Sequence, residues 1–408
     1  MENSILHTIY LQDGSLCNFR KRIWKNAKSL LSCFSSIMDP RKKRGIRHDL
    51  SLILFILFAG ITSGSTTLKD CHLWAFHNRK FLGKYFTLLY GIPDPTTISY
   101  VLQKLKPDDL VNAYTRFLHL LGVELGDVVS LDGKTMRAAT GEETVRHILS
   151  LFSHLTHTVL GQIGVTQKEN EIPAFRRLLE KLNGHVEGFL FLADALHAQK
   201  DTAKAIIKAQ ADYLLVIKGN QKDFYVDIMT VFANQPDLPG TNYQSSLTKD
   251  SYSEDQLTRK RDITTTITTT NNQQLCDYLV KQHDFAGIKT IGVLKRSGTR
   301  TSKDGTVTSV DETVCFASSK ILTAKQIGIL LRNHWCIENN LHWVKDFVFL
   351  EDRQTLRVGN APQVMSFLRS MCISIFNLVK FRSISDAIHN FEKSKTIHYQ
   401  FFKMAAIV

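Results

Sequence analysis

The feature that most constrains this chain is a change in the spacing of its apolar residues near residue 123. Before that point, apolar side chains recur at helical spacing in Leu50–Ile61, Leu68–His77, Thr96–Leu105 and Leu110–Leu121. After it, short runs rich in β-branched and aromatic residues follow one another and then alternate with amphipathic stretches. The pattern predicts an all-helical leading domain followed by an α/β domain.

The second segment has a defined order of elements, which we interpret as β, β, β, α, β, α, β. Its predicted strands are 128–131, 146–152, 158–165, 188–193 and 213–217, and its predicted helices are 172–182 and 198–210. Three strands in series, followed by strands that alternate with helices, favour a mixed sheet with an antiparallel half and a parallel half. A ribonuclease-H-like sheet is one known fold of this kind.

The remaining segments complete a predicted division of the chain. Between residues 221 and 320, a polar β-branched run predicts a strand at 264–270, and further strands are predicted at 289–294 and 313–318, with a polar segment at 297–305 between the last two. Helical spacing returns at Thr323–Lys345 and Ala361–Phe381. We therefore expect six regions: a basic extension at 1–37, a helical domain at 38–122, a core in two parts at 123–220 and 321–381, an inserted β-rich region at 221–320, and a tail at 382–408.

The charge balance points to a polyanionic partner. Lysine and arginine total 51 against 38 acidic residues, for a net charge of +13. Ten basic residues and a single acid lie between Phe19 and His48. Such a cluster is either a solvated face or a phosphate-binding surface, and the sequence leaves both open. Under the second interpretation, Arg44 and Arg47 contact DNA.

Cysteine usage and hydropathy indicate the compartment. The seven cysteines are scattered without a Cys-x-x-Cys pair, which is typical of reduced thiols rather than a disulfide framework. The most apolar run, Leu50–Ile61, is well short of the roughly 20 residues of a membrane helix. We expect a cytoplasmic protein, associated with the nucleoid and not with a membrane.

Two predicted strands each deliver a carboxylate. Val128–Leu131 leads into Asp132, with Gly133 behind it to let the backbone turn away, and Phe189–Ala193 leads into Asp194. An aspartate after a strand is often only a turn former or a helix cap. Two of them in one basic chain also fit a shared acidic site at one edge of a sheet.

A third acid, Glu338, lies in the predicted helix 323–345. By helical geometry Glu338, His342 and Lys345 occupy positions i, i+4 and i+7 on one face, which stacks an acid beside a cation. Three convergent carboxylates repel one another unless cations neutralise them. Magnesium suits this role, because it takes oxygen ligands and keeps positions for water and phosphate.

Other motifs are weaker. Gly133-Lys134-Thr135 resembles the end of a nucleotide-binding loop, but that motif needs a glycine at position 128, where the chain has Val128. No histidine or cysteine set has the spacing of a zinc site. We therefore expect no nucleotide cofactor and no zinc.

Several strings together resemble the H-repeat-associated family of bacterial insertion-sequence DDE transposases. These strings are DGKTMR at 132–137, ENEIPA at 169–174, DA at 194–195, ADYLLVIKGNQ at 211–221 and HWCIENNLHW at 334–343. RGIRH at 44–48 and GIPD at 91–94 resemble the domain that precedes the catalytic core in that family. The resemblance spans about Met38 to Phe381.

The resemblance implies a ribonuclease-H-like acid-triad enzyme whose catalytic, metal-binding residues are Asp132, Asp194 and Glu338. It also implies two Mg²⁺ ions, for which Mn²⁺ can substitute. The implied reaction is cleavage of double-stranded DNA at terminal inverted repeats, followed by strand transfer to a target DNA. A homodimer formed on DNA would carry it out. Our candidates for DNA contact are Lys134, Arg137, Lys218, Arg332, Trp335, Trp343, Lys345, Arg44 and Arg47. A nuclease without strand transfer and an inactive DNA-binding relic remain alternatives.

The chain departs from the pattern of related cut-and-paste enzymes at two points. The last helix of those enzymes carries tyrosine and arginine where this chain has Leu331 and His334, although Lys345 keeps the expected spacing from Glu338. Either Arg332 supplies the missing guanidinium or the DNA end is gripped differently. In the inserted region, Gln256–Arg261 replaces a His-Gly-Arg stretch.

Overall fold

The computed structural model describes residues 28–44, 46–120, 128–137, 145–166, 169–182, 184–233, 249–258, 261–302 and 304–393. The chain divides into two compact units. We call one the helical unit (Met1–Gly126, Gly133–Ala174 and Ile337–Val408) and the other the sheet unit (Asp127–Asp132 and Phe175–Cys336).

The helical unit begins with α1 (Lys28–Ser35), α2 (Leu50–Thr62), α3 (Leu68–His77), α4 (Arg79–Leu82), α5 (Pro95–Lys104) and α6 (Pro107–Leu120). Helix α2 is apolar on all sides and is accordingly buried along nearly its whole length. Helix α3 begins at a capping box, in which Thr67 and Asp70 each accept from the other's backbone N–H. Helices α2, α3, α5 and α6 match the predicted helical segments, whereas α4 was not predicted.

Helix α1 lies within the segment that was predicted as an extension. Leu30, Cys33 and Phe34 are buried on it, and it packs against α2 and α6. The apolar residues recur at i, i+3 and i+4, a helical spacing that the basic residues around them obscured. Residues 1–27 of the predicted extension lie outside the described residues.

The helical unit also contains β2 (Val145–Ser153) and β3 (Val159–Thr166), an antiparallel pair. Helix α13 (Ala361–Val379) is buried on almost every face and packs against α2, α5, α6 and both strands. It is followed by α14 (Ile384–Lys393), where Ala387 and Phe391 are buried, so part of the predicted tail belongs to the packed structure. Among the described residues no single helix is long and apolar enough to cross a membrane; α13 and α14 meet that criterion, by length and composition only, as a pair bent by 92°.

The strands form one mixed, nine-stranded sheet in the order β3-β2-β1-β4-β5-β9-β8-β7-β6, which confirms the predicted α/β class. The remaining strands are β1 (Val128–Thr135), β4 (Leu190–Ala193), β5 (Asp212–Ile217), β6 (Asp250–Thr258), β7 (Arg261–Thr270), β8 (Thr290–Thr301) and β9 (Val307–Ser318). Strands β1, β4 and β5 are parallel, and β5, β9, β8, β7 and β6 are joined in antiparallel pairs.

Helices in the sheet unit are α7 (Glu171–Lys181, whose first turn belongs to the helical unit), α8 (Lys200–Lys208), α9 (Lys222–Phe232), α10 (Gln273–His283) and α11 (Ala324–Asn333). Helices α9 and α10 lie in the region that was predicted as β-rich, where their short apolar stripes were missed. Strand β8 continues to Thr301 through the predicted polar linker. No residue of β8 after Leu294 is buried, and these residues are polar or glycine, so this part of the strand carries no apolar alternation.

Helix α11 packs on β6 and β7 and contributes to the apolar core of the sheet unit. Its Gly328 permits close approach, since a Cβ atom there would lie 2.7 Å from Cδ1 of Ile267. The core comprises Val128, Leu190, Leu192, Leu214, Ile267, Leu294, Val314, Phe316, Leu322, Ala324 and Ile327. This packing holds α11 and the residue that follows it, His334, against the sheet.

Candidate active site

The register of the parallel strands sets the two aspartates side by side in the sheet unit. Leu131 on β1 pairs with Ala193 on β4, so Asp132 and Asp194 are the next residues along two neighbouring strands about 4.8 Å apart. The side chain of Asp194 is 70% exposed, and Asp132 is half-buried. The two carboxylates therefore lie level at one edge of the sheet, as the sequence predicts.

Gly133 does not form the turn that its sequence suggested. Strand β1 continues past Asp132 to Thr135, and Gly133 lies within it. A Cβ atom at Gly133 would collide with the carboxylate of Glu171, so the glycine makes room for this acid on α7. Glu171 also lies 3.6 Å from Nδ1 of His147. It belongs to a string already quoted for the resemblance, but spacing alone gave no reason to place it near β1.

Asp194 is supported by a histidine that the sequence marked only as a departure. Nε2 of His334 lies 3.5 Å from Oδ1 of Asp194, and Nδ1 of the same ring lies 3.0 Å from Oγ of Ser130 on β1. The contact with His334 holds the pKa of Asp194 below its ordinary value, with smaller contributions from Lys218 and His197. A carboxylate that is ionised at neutral pH is the form that binds a metal.

Glu338 lies in the helical unit, on a π-helical turn that runs from Glu338 to His342. Its Oε2 is 3.0 Å from Nδ1 of His342, which occupies position i+4. This hydrogen bond, followed by the charges of His342 and Lys134, lowers the pKa of Glu338 although partial burial opposes the shift. Glu338 thus offers an anionic oxygen beside an imidazole nitrogen.

Lys345 was predicted to share a helix face with Glu338 and to contact DNA phosphate, but its side chain is enclosed. Its side chain is 1% exposed and donates to Oγ of Ser366 on α13 over 3.0 Å. Burial lowers the pKa of Lys345 to about 8. The physical reason for its position is the π-helical turn, because bonds from i to i+5 add a residue to that turn and rotate the next residues out of the regular helical register.

Lys134, the other lysine proposed for phosphate contact, is also enclosed. It is 7% exposed, with Nζ 2.7 Å from Asp346 and 3.4 Å from Asp352. Burial opposes the charged form, but the hydrogen bond to Asp346 and the nearby acids outweigh it and raise the pKa of Lys134. In this structure its ammonium binds side-chain carboxylates.

A buried ionic cluster next to these lysines was missed by sequence reasoning. Glu351 and Arg369 are each 1% exposed, with Nη1 of Arg369 3.4 Å from Oε1 of Glu351 and 2.8 Å from Oε1 of Gln354. The charges of Lys345 and Arg369 hold the pKa of Glu351 low against the strong opposing effect of burial. No local signal reveals the cluster, because Glu351 sits in a charged run that is typical of a surface.

The other proposed DNA contacts remain at the surface of their units. Arg137 is 79% exposed and lies 3.3 Å from Asp352, and Arg332 forms an ion pair with Glu254. Trp335 is 62% exposed and Trp343 is 52% exposed. Three further exposed cations complete the set, namely Lys218, Arg44 and Arg47.

These arrangements suit divalent metal binding. The sheet unit supplies two level carboxylates, and the helical unit supplies Glu338 and His342, which are metal-ligand types. Carboxylate oxygens are the donors that Mg²⁺ prefers, and they also suit Mn²⁺. The lowered pKa values of Asp194 and Glu338 keep both in the ligand form.

Comparison with known proteins gives the family. Residues 124–375 match the family described as "Transposase DDE domain", and residues 31–118 match the family described as "DDE_Tnp_1-associated". The chain is 30% identical over 359 residues to "H repeat-associated putative transposase YhhI" of Escherichia coli K12, which covers 85% of this chain and 90% of that protein. It is 29% identical over 353 residues to "Putative transposase YncI" of Escherichia coli O157:H7, covering 85% and 87%.

The match over residues 124–375 includes all three acids of the candidate site. The match over residues 31–118 includes α2 to α5. The chain therefore belongs to the DDE transposase family, among the H-repeat-associated transposases.

Proposed function

We propose that this protein is a DNA transposase that cuts at the ends of its own element and joins the liberated 3′ hydroxyls to target DNA. The observation that carries the proposal is the placement of Asp132 and Asp194 at one level of neighbouring parallel strands, in a chain of the DDE family. The ribonuclease-H-like classification of the core belongs to the same proposal.

Asp132, Asp194 and Glu338 would together hold two divalent cations, Mg²⁺ or Mn²⁺. When bound, such cations supply Lewis acidity at the scissile phosphate and stabilise the departing oxygen. The tasks of the protein groups follow from their contacts. Asp194 is held ionised by His334, and Glu338 by His342, so both acids are available as ligands at neutral pH.

The cations of the chain divide into two groups by exposure. Arg137, Lys218 and Arg332, with Arg44 and Arg47, are exposed and suited to phosphate contact, which positions DNA without reading its sequence. Lys134 and Lys345 are enclosed, and we assign them to positioning the segments that carry the acids. The pairing of two DNA ends argues for a homodimer on DNA. The 51 basic residues outnumber the 38 acidic residues, which supports long-range attraction to DNA in the cytoplasm, at the nucleoid.

The test is cleavage and strand transfer on labelled element ends with Mg²⁺. Glu338→Gln should retain DNA binding and lose both reactions, because the amide keeps the size of the carboxylate and removes its charge. Glu392→Gln, an exposed change on α14, is the matched control and should retain both. Full cleavage by Glu338→Gln would remove the acid from the proposal.

The same assay separates the alternatives. Labelled ends that are cut but never joined to target DNA would identify a nuclease without strand transfer. Wild-type protein that binds ends but neither cuts nor joins them, with Mg²⁺ or Mn²⁺, would identify a non-catalytic relic.

A further inference from the structure

A cavity of about 580 Å³ lies in the helical unit beside the segment that carries Glu338. Its walls come from the loop between β2 and β3, the π-helical turn, α12 (Trp343–Phe347), the end of α13 and the start of α14. Its polar and aromatic lining includes Asn339, Asn340, Trp343, Asn377, Lys380 and Arg382. Its volume falls in the range of small-ligand pockets.

Trp343 gives the cavity a flat apolar wall. The ring is 52% exposed and stacks on Phe347 with a centroid distance of 4.6 Å and an interplanar angle of 13°. Stacking on Phe347, which is 66% exposed, holds a large aromatic surface near solvent without burying it in the core. An aromatic ring that is fixed in this way is a platform for another flat ring.

The described lining of the cavity contains basic and no acidic residues. Lys380 and Arg382 line it, and none of its described lining residues is acidic. Lys380 is close enough to His157 that its charge, together with the larger effect of burial, lowers the pKa of that histidine. The lining therefore favours an anion, while the amides of Asn339 and Asn340 offer both donors and acceptors.

We propose that this cavity binds one unpaired nucleotide of a DNA strand, with its base against Trp343 and its phosphate against Lys380 and Arg382. A nucleotide combines the two properties that the lining selects, a flat ring and a negative charge. A base that is stacked in duplex DNA does not expose its face to an aromatic platform, so the nucleotide must be unpaired.

The proposal rests on the proposed function only for the source of the nucleotide. Asn339 is the residue directly after Glu338, but Glu338 itself does not line the cavity. Under the proposed function, the nucleotide belongs to a DNA strand that the protein binds. The binding site itself is independent of cleavage and can be tested without it.

The experiment measures binding in the absence of metal, in the Glu338→Gln background, so that cleavage does not contribute. The probes are a labelled single-stranded oligothymidylate, thymidine 5′-monophosphate and a labelled duplex of matched length. Trp343→Leu and, separately, Arg382→Gln should weaken binding of the single strand about fivefold or more and leave the duplex nearly unchanged. Arg382 is exposed, so its variant stays informative if Trp343→Leu fails to fold.

Matched controls are Tyr100→Leu, an exposed aromatic residue that does not line the cavity, and Lys104→Gln, an exposed cation; both lie elsewhere in the helical unit. A smaller loss of single-strand affinity in these controls than in the cavity variants supports the site. Unchanged single-strand affinity in both cavity variants, or equal losses for single strand and duplex, would overturn it. Equal affinities for the mononucleotide and the oligonucleotide would contradict the claim that the bound nucleotide belongs to a DNA strand.

Failure here and failure of the proposed function are distinguishable. Loss of cleavage in Glu338→Gln is scored on metal-dependent products, and the cavity is scored on metal-free affinity. A protein that cuts and joins DNA but shows no Trp343-dependent affinity for single strands keeps its function and loses the cavity proposal.

Discussion

The two units support their acids in different ways. In the sheet unit, Asp194 is 70% exposed and depends on the register of β4 and one contact from His334. In the helical unit, the segment after Glu338 is held by a core of charges in which Glu351 and Arg369 are each 1% exposed. The first arrangement uses backbone hydrogen bonds to place a side chain, and the second uses ion pairs between buried side chains.

This difference separates function from stability. Asp194 is 70% exposed, so its replacement leaves no buried charge without a partner, and we expect the fold to remain intact. A buried charge whose partner is removed carries a large uncompensated desolvation cost. We therefore expect variants of Asp194 to affect the reaction and variants of the buried cluster to affect folding.

The strongest test of this contrast is Asp194→Asn. Cleavage should fall to background because one anionic ligand is lost, whereas the free energy of unfolding should change by no more than about 0.5 kcal/mol. Both quantities can be measured on the same preparation by product gels and urea unfolding. Cleavage near the wild-type rate, or a variant that does not fold, would contradict the contrast.

Arg369→Met tests the buried cluster of charges in the helical unit. Glu351 would keep its burial but lose the guanidinium 3.4 Å away, and we expect a loss of about 3–5 kcal/mol in unfolding free energy. Arg357→Met, at an exposed position, is the control and should stay within about 0.5 kcal/mol of the wild type. Equal effects of the two variants would show that the cluster does not stabilise the helical unit.

The pH dependence of the unfolding free energy gives a further test of this contrast, through Lys345. Burial lowers its pKa from an ordinary value of 10.5 to about 8 in the folded state, so between these values the unfolded chain binds the extra proton and stability rises with pH. Lys345→Met removes this contribution. Between about pH 7 and about pH 10.5, the unfolding free energy of the wild type should increase relative to that of the variant by on the order of 3 kcal/mol.

Urea unfolding at several pH values measures that difference, and Lys104→Met provides an exposed-lysine control. A gap between wild type and Lys345→Met that stays constant with pH would show that Lys345 keeps an ordinary pKa in the folded protein.

The smallest expected effect is that of His334→Gln. The histidine joins Asp194 to Ser130, so its loss should reduce cleavage about 10- to 100-fold at limiting Mg²⁺ and less at saturating Mg²⁺. His389→Gln, an exposed change on α14, should leave cleavage unchanged. An equal reduction at every Mg²⁺ concentration would argue against a role in supporting a metal ligand.

The sequence predicted those parts of the fold whose signals are local. The apolar spacing gave α2, α3, α5 and α6 to within about three residues, and strand composition gave β1 to β5. Sequence reasoning missed α1, α4, α9, α10, α14 and β6, because their apolar positions lie among charged or polar residues. Strand β8 was cut short because an exposed strand has no alternation of apolar and polar residues.

For the candidate site, the two aspartates could be anticipated, because each follows an apolar run of strand length. The role of His334 could not, since its contact with Asp194 joins residues 140 positions apart in the sequence. The same holds for Glu171 beside Gly133, a contact that spacing cannot reveal.

By itself, the sequence determined most of the helices and strands, which acids follow the apolar runs of β1 and β4, and to which family the chain belongs. The tertiary structure decided which charges face water. Lys345 and Lys134 resemble surface cations along the chain, but a π-helical turn and the surrounding acids place both inside the helical unit. Burial depends on the groups that pack around a side chain, and that packing is set by distant residues whose positions no local spacing encodes.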